Sequence, residues 1–342
     1  MNIILDAMGG DNAPQAVIDG AVVASRTLGC EITLVGDAGK ISKAIASSTV
    51  REAELCRFNI AGATETIDMH DDPVLAIRVK KDSSMVVGLK LLRDGGGDAF
   101  VSAGSTGALL TGATLIVKRV RGIKRASLAP LLPSSSGGVL VIDAGANVEC
   151  TAEQLLQFAF MGSFYAEGAL GIKNPRVGLL NNGTEETKGD PLRLETYALL
   201  AEAGKAGKIN FIGNVEGRDP MLGACDVVVC DGFTGNVFLK ASEGAALFVM
   251  RELKQVLFKN KKSKLASLLV RKGLNLLRNR ANPDAVGGTI MLGISKPVVK
   301  AHGSSNADAI VSAITQSIRA VNAGVAERLA EHFSRFGAEA DE

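Results

Sequence analysis

The chain has 342 residues, 46% of them hydrophobic and 22% charged, with 39 Gly, no Trp and a net charge of +2. That length suits one large α/β unit or two modest domains, and the near-neutral charge excludes a strong overall field, so any basic patch must be local. No apolar run reaches the roughly 18 residues of a membrane span, and the start lacks the basic region and cleavage site of a secretion signal.

Five scattered cysteines (Cys30, Cys56, Cys150, Cys225, Cys230) with no Cys-x-x-Cys pair read as reduced thiols of a cytoplasmic protein. The histidines His70, His302 and His332 form no metal-ligand pattern, and neither a metal nor a cofactor is expected.

In chain order, residues 2–6 form an apolar run ending in Asp6, a first buried strand, followed by Gly9, Gly10 and Asp11. Pro14 suits a first helical turn, with Asn12 or Asp11 as its cap. Strands at 31–36 and 57–60 with a helix at 40–46 between them give the rhythm of a parallel sheet. His70, beside two carboxylates, offers a metal or acid/base site, but such a loop is more often a solvated turn; 73–92 reads as one amphipathic helix beginning with proline.

Residues 98–117 are the organising stretch. A short strand at 99–102 runs into Ala-Gly-Ser-Thr at 103–106, and a helix follows from Gly107 to about Val117. Small residues there let a ligand approach the backbone, and the helix start presents N–H groups and positive potential to an anion. Ser102, Ser105 and Thr106 add hydroxyls, and Gly104 and Gly107 keep the turn open. The spacing matches neither the P-loop nor the dinucleotide fingerprint. A tight strand-to-helix turn is the alternative.

A basic bend at 118–125 reads as a solvated helix end. The strand at 138–143 ends in Asp143, with Asn147 just beyond it, and a long helix covers 151–169. Strands at 176–180, 210–212 and 226–230 lead into loops that hold Asn181, Glu185 and Lys188, then Asn214 and Glu216, then Asp231, Gly232 and Asn236. Five polar strand tips on one edge define a crevice where open α/β sheets bind ligands.

Residues 254–280 hold nine Lys or Arg and no Asp or Glu, with leucines near helical spacing. They read as a basic amphipathic helix or hairpin for anionic lipid, an acidic protein or plain solvent. Nucleic acid is disfavoured by the lack of interleaved aromatics. Short strands at 287–293 and 298–301, the tip His302-Gly-Ser304 and a terminal helix at 307–333 complete the chain.

Seven motifs stand in order: Leu-Asp-Ala-Met-Gly-Gly-Asp at 5–11, Ser-Ala-Gly-Ser-Thr-Gly-Ala at 102–108, Asp-Ala-Gly-Ala-Asn at 143–147, residues 180–189, 213–219 and 231–236, and Ala-His-Gly-Ser at 301–304. Together they resemble the bacterial acyl-[acyl carrier protein]:phosphate acyltransferase family, PlsX, over nearly the whole chain. The resemblance implies an α/β fold, a mainly parallel sheet sandwiched by helices. The same fold occurs in isocitrate/isopropylmalate dehydrogenases and phosphate acetyltransferases.

Residues 1–342 would form one catalytic unit, with a basic helical protrusion at 251–282. The activity implied is acyl transfer from acyl carrier protein to inorganic phosphate for phospholipid synthesis. A homodimer is expected, cytoplasmic and peripherally bound to anionic membrane, with hand-off to a membrane glycerol-3-phosphate acyltransferase and no nucleic acid. Family members usually carry Asn where this chain has Ser105.

Carried onto these positions, Lys188, Asn181, Asn236 and His302 are the expected catalytic groups. Substrate or phosphate contacts are expected at Asp6, Gly9, Gly10, Asp11, Ser102, Gly104, Ser105, Thr106, Gly107, Asp143, Asn147, Glu185, Asn214, Glu216, Asp231 and Gly232, with the acids also pairing with or orienting Lys188. Membrane or carrier-protein contact falls to Lys259, Lys261, Lys262, Lys264, Leu265, Leu268, Leu269, Arg271 and Lys272. A hydride-transferring dehydrogenase and a non-catalytic membrane adaptor are the rival readings.

Overall fold

The computed structural model describes residues 1–50, 53, 56–260, 262–263, 267, 269–274 and 288–339, with side chains omitted for 334–339. Apolar runs broken by Gly, Asp or Asn become strands, and the amphipathic stretches between them become helices. The strands are divided between two sheets rather than joined in one.

The first sheet has seven strands in the order β3-β2-β1-β4-β12-β11-β5. Its members are β1 (Asn2–Asp6), β2 (Glu31–Gly36), β3 (Asn59–Gly62), β4 (Ala99–Ser102), β5 (Ser127–Ala129), β11 (Thr289–Leu292) and β12 (Val298–Lys300). β3, β2, β1, β4 and β12 run parallel, while β11 is antiparallel to both neighbours. The second sheet, β6-β7-β10-β8-β9, contains β6 (Leu131–Leu132), β7 (Val139–Ile142), β8 (Arg176–Leu180), β9 (Asn210–Val215) and β10 (Val227–Val229). All but β6 are parallel.

One continuous core joins the sheets. Ile3, Leu5 and Val101 of the first sheet and Leu140, Ile142 and Val229 of the second belong to the same buried cluster. Helix α6 (Ala152–Gly168) contributes Leu155, Phe158, Met161 and Tyr165 to it. Thr151 and Gln154 close a reciprocal capping box at the start of α6, which satisfies two N–H groups that a helix start otherwise leaves unpaired.

The remaining helices are α1 (Gln15–Thr27), α2 (Ala38–Ala46), α3 (Pro73–Val79), α4 (Ser84–Arg93), α5 (Thr106–Gly112, continued by a π-helical turn over Ala113–Val117), α7 (Pro191–Lys205), α8 (Gly232–Phe258), α9 (Ala307–Asn322) and α10 (Val325–Glu339).

Several boundaries differ from expectation. The helix expected over 73–92 is two: Thr64 donates its N–H to Asp82 at 3.0 Å, pinning the turn, and Ser83 caps a fresh helix. The terminal helix breaks at Gly324, whose φ of 57° ends the first of two helices. Asn12 does not cap α1; its amide donates to the carbonyls of Ser304 and Ser305. β9 runs on to Val215, three residues past its expected end. Residues 232–236, expected as loop, form the first turn of α8 with Asp231 as the cap.

β5, β6 and α7 had no counterpart in the sequence reading. Two- and three-residue strands beside Pro130 and Pro133 leave no readable alternation. Asp190-Pro191 does carry a helix-start signal.

Of the 27 residues of α8, Gly232 and Gly235 alone are buried, while Leu247, Phe248, Val249, Val256 and Phe258 are exposed. Lys259, Lys262, Leu269, Arg271 and Lys272 are exposed as well. Lys261, Lys264, Leu265 and Leu268 lie outside the described residues. Among the described residues no helix is long and apolar enough to cross a membrane.

Candidate active site

Parallel pairing sets three polar residues side by side at the C-terminal edge of the first sheet. Leu5 pairs with Val101 and Lys300 with Ser102, so Asp6, Ser102 and Lys300 end three adjacent strands. Ser102 donates its hydroxyl to Asp6 Oδ2 at 2.6 Å and accepts the N–H of Gly104 at 3.1 Å. Gly9 packs so closely that a Cβ there would lie 2.6 Å from Asp6 Oδ2 and 2.7 Å from Gly104 N. The Asp11 N–H donates to Gly303 O at 2.8 Å, tying the loop after β1 to the 301–304 tip.

Burial pushes the Asp6 carboxyl above its usual range, against the pull of hydrogen bonds from Ser102 and Ser84. Ser102 therefore shapes the anion loop and has no proton left for a ligand. Ser105 caps α5, its Oγ accepting the Ala108 N–H at 3.5 Å, which leaves its own hydroxyl proton free.

The second sheet ends in a different kind of row. Asp143 is fully buried and accepts from Leu128 N at 2.8 Å, Ala146 N at 3.2 Å, Asn147 N at 2.6 Å and Asn147 Nδ2 at 2.9 Å. Desolvation still raises its pKa above the ordinary carboxylate value. Asn147 also donates to Ala126 O and accepts the Gly232 N–H. Expected as substrate contacts, Asp143 and Asn147 instead lock the tip of β7 to the strand crossing between sheets and to α8. A Cβ on Gly235 would fall 1.9 Å from Asp143 O, so only glycine permits that approach.

Two of the acids expected to pair with Lys188, Asp231 and Glu216, have other partners. Asp231 caps α8 through the Thr234 N–H and is ion-paired with Arg193. Burial opposes its charge, but Thr234 and Arg193 together hold its pKa below the usual value. Glu216 pairs with Arg218 at 2.7 Å. Asn181 donates to Lys188 O at 3.0 Å and Asn214 to Glu185 O at 2.8 Å, so both amides fold the 181–189 loop, while Asn214 Oδ1 is buried without a partner. Lys188 and Glu185 are exposed.

Between the two rows lies a cavity of about 540 Å³. Its lining includes apolar Leu128, Pro130, Leu132, Met221, Leu239 and Ala246 and polar Thr106, Asn236, Lys240, Thr289, Lys300 and His302. The cavity thus gathers three expected residues, Thr106, Asn236 and His302, but not Lys188, Asn181, Glu185, Asn214 or Glu216. His302 Nδ1 is 2.8 Å from Ser304 Oγ and accepts the Ser304 N–H at 3.3 Å, which assigns the proton of the neutral ring to Nε2.

The sequence reading missed Lys300, which is 7% exposed. Its ammonium donates to Ala103 O at 3.3 Å and to Ala301 O. Desolvation lowers its pKa to about 8, with Asp11 and Asp6 opposing the shift. A lysine closing an apolar strand, two residues before His302, was the available signal.

The family model described as "Fatty acid synthesis protein" matches residues 1–328. A phosphate acyltransferase of Acetivibrio thermocellus is 44% identical over 334 residues, covering 97% of this chain and 96% of the relative. One of Streptococcus pneumoniae is 47% identical over 335 residues, covering 97% and 98%. In fold the chain is similar to a phosphotransacetylase from Streptococcus pyogenes, with a TM-score of 0.62 at 18% identity over 96% of this chain and 94% of that one.

Proposed function

The chain belongs to the fatty acid synthesis protein family that includes these phosphate acyltransferases, and from that premise we propose that it transfers a fatty acyl group from the thioester of acyl carrier protein to inorganic phosphate. The observation that carries this reading is a cavity whose lining combines apolar residues such as Leu128, Pro130 and Leu132 with polar Thr106, Asn236, Lys300 and His302. Burying an acyl chain gains about 0.8 kcal/mol per methylene, enough to hold the chain and present its carbonyl to the polar part.

A phosphate oxygen attacks the thioester carbon, a tetrahedral oxyanion forms, the C–S bond breaks and the carrier thiolate leaves. Holding the phosphate oxygen about 3–3.5 Å from that carbon supplies much of the rate, so no acyl-enzyme is needed. The N–H groups at the start of α5 and the Ser105 and Thr106 hydroxyls cradle phosphate, with Gly104 and Gly107 giving access. The Asn236 amide and the α5 start stabilise the oxyanion. His302 donates a hydrogen bond from its Nε2–H to the departing sulfur, which leaves as the thiolate.

Lys188, on the exposed 181–189 loop, attracts the phosphate and the acidic carrier protein. Glu185 and Asp11 limit how anions approach. Exposed Phe248, Val256 and Phe258 on α8, with Lys259, Lys262, Arg271 and Lys272 beyond, suit a homodimer contact and a peripheral anionic membrane surface. Acyl phosphate released there would pass to a membrane glycerol-3-phosphate acyltransferase.

The test incubates the protein with acyl-[acyl carrier protein], with and without inorganic phosphate, and traps acyl phosphate with hydroxylamine. Product that requires phosphate supports the reading; thioester loss independent of phosphate removes it.

A further inference from the structure

We propose that Lys300 is the cation that holds inorganic phosphate in the inter-sheet cavity. This inference rests on the acyl-transfer reading and assigns one of its substrates to a residue. Lys300 lines the cavity, and β12 pairs with β4 in a register that sets it beside Ser102 at the root of the anion loop. Its ammonium has three N–H donors. Two go to the carbonyls of Ala103 and Ala301, so the side chain also braces the loop that begins at Ala103.

One donor remains, on a group that lines the cavity together with Thr106 and His302. The other lysine of the lining, Lys240, is already paired with Glu243 at 2.7 Å. Among the described residues Lys300 has no carboxylate at ion-pair distance. A buried ammonium without a counter-ion is costly, and a site that supplies the anion with the substrate offsets that cost only when the substrate is bound.

The charged and titratable groups around Lys300 are Asp6 from β1, Asp11 from the loop after it, His302 on its own strand's exit, and Lys240 with Glu243 across the cavity on α8. The two aspartates favour the ammonium at neutral pH, and its own desolvation opposes them. The chemistry such a group recognises is a phosphate oxyanion. Inorganic phosphate and the phosphodiester of the carrier's pantetheine arm both offer it.

Titration calorimetry of wild type and Lys300→Met with inorganic phosphate, and separately with phosphopantetheine, is the experiment. Phosphate affinity is expected to fall at least tenfold in Lys300→Met while phosphopantetheine binding is unchanged. In turnover, KM for phosphate should rise with KM for the acyl carrier substrate within twofold, and Lys300→Arg should recover part of the loss. Wild-type phosphate affinity should also decline as pH rises through about 8, a decline missing from Lys300→Met.

Unchanged phosphate binding in Lys300→Met, or a loss confined to phosphopantetheine, overturns the proposal. If Lys300→Met does not fold, wild type is acetylated at pH 8 with an N-hydroxysuccinimide ester. Protection of Lys300 by inorganic phosphate, read by peptide mass spectrometry, supports the assignment, and equal labelling overturns it. A wild type that makes no acyl phosphate sinks the acyl-transfer reading. A wild type that makes it while Lys300→Met keeps the same phosphate KM sinks only the role of Lys300.

Discussion

Asp6 and Asp143 end comparable strands in the two sheets, and both are buried carboxylates with raised pKa values. They differ in what surrounds them. Asp143 collects four N–H donors from two segments, β5 and the loop that follows β7, and has no capacity left for a ligand. Asp6 takes the Ser102 hydroxyl at 2.6 Å and the Met8 N–H at 3.2 Å, is also held by Ser84 and the Gly9 N–H, and sits close enough to Lys300 to favour the ammonium. Burial alone thus does not distinguish a scaffold acid from a site acid. The presence of a neighbouring cation does.

The largest expected effect follows from that saturation. Asp143→Ala strands several buried N–H groups, each costing about 1–3 kcal/mol, so urea denaturation should show a loss of about 3–5 kcal/mol. A loss below about 1 kcal/mol would make Asp143 the equal of Asp6 and erase the comparison.

Next comes the pH dependence of Lys300. Its folded pKa, about 8, lies below the ordinary lysine value of 10.5, so between those values the folded state binds fewer protons, and its charge is penalised in full below pH 8. That penalty fades as pH rises towards 10.5. Between pH 7 and pH 10, wild type should gain roughly 2 kcal/mol of stability relative to Lys300→Met, at 1.36 kcal/mol per pKa unit. Parallel stability curves would deny that the ammonium is desolvated.

How much of this was legible in the sequence depends on range. Asp6, Asp143 and Asp231 were visible as strand ends because an apolar run followed by an acid and glycine is a local signal. The anion loop at 102–107 was equally local. The partition into two sheets was not, because it turns on β5 and β6, short strands around Pro130. Which acids are saturated was also hidden, since Asp143 is closed by Leu128, 15 residues away, and Asp231 by Arg193, 38 residues away. Lys300 looked like an ordinary charged strand end until β12 was paired with β4.

Lys188→Ala sharpens the contrast between loop and cavity. Its side chain is exposed, so stability should stay within about 0.5 kcal/mol, while acyl phosphate formation should fall at least about tenfold, equal to about 1.4 kcal/mol of barrier. Unchanged turnover would leave the reaction to the cavity residues alone. The smallest effect is expected for Asp6→Asn, which retains an acceptor for Ser102. Chemical denaturation should register about 1 kcal/mol, and Lys300 should be acetylated at a lower pH than in wild type. A loss as large as that of Asp143→Ala would make Asp6 a scaffold acid too.

The account's central claim is that phosphate and thioester meet between the two rows of strand ends. A crystal structure with inorganic phosphate and a non-reactive acyl thioester analogue tests it most directly. The account predicts phosphate between Thr106 and Lys300 with the acyl chain along Leu128 to Leu132; an anion seated on the Lys188 loop, with the cavity empty of acyl chain, would contradict it.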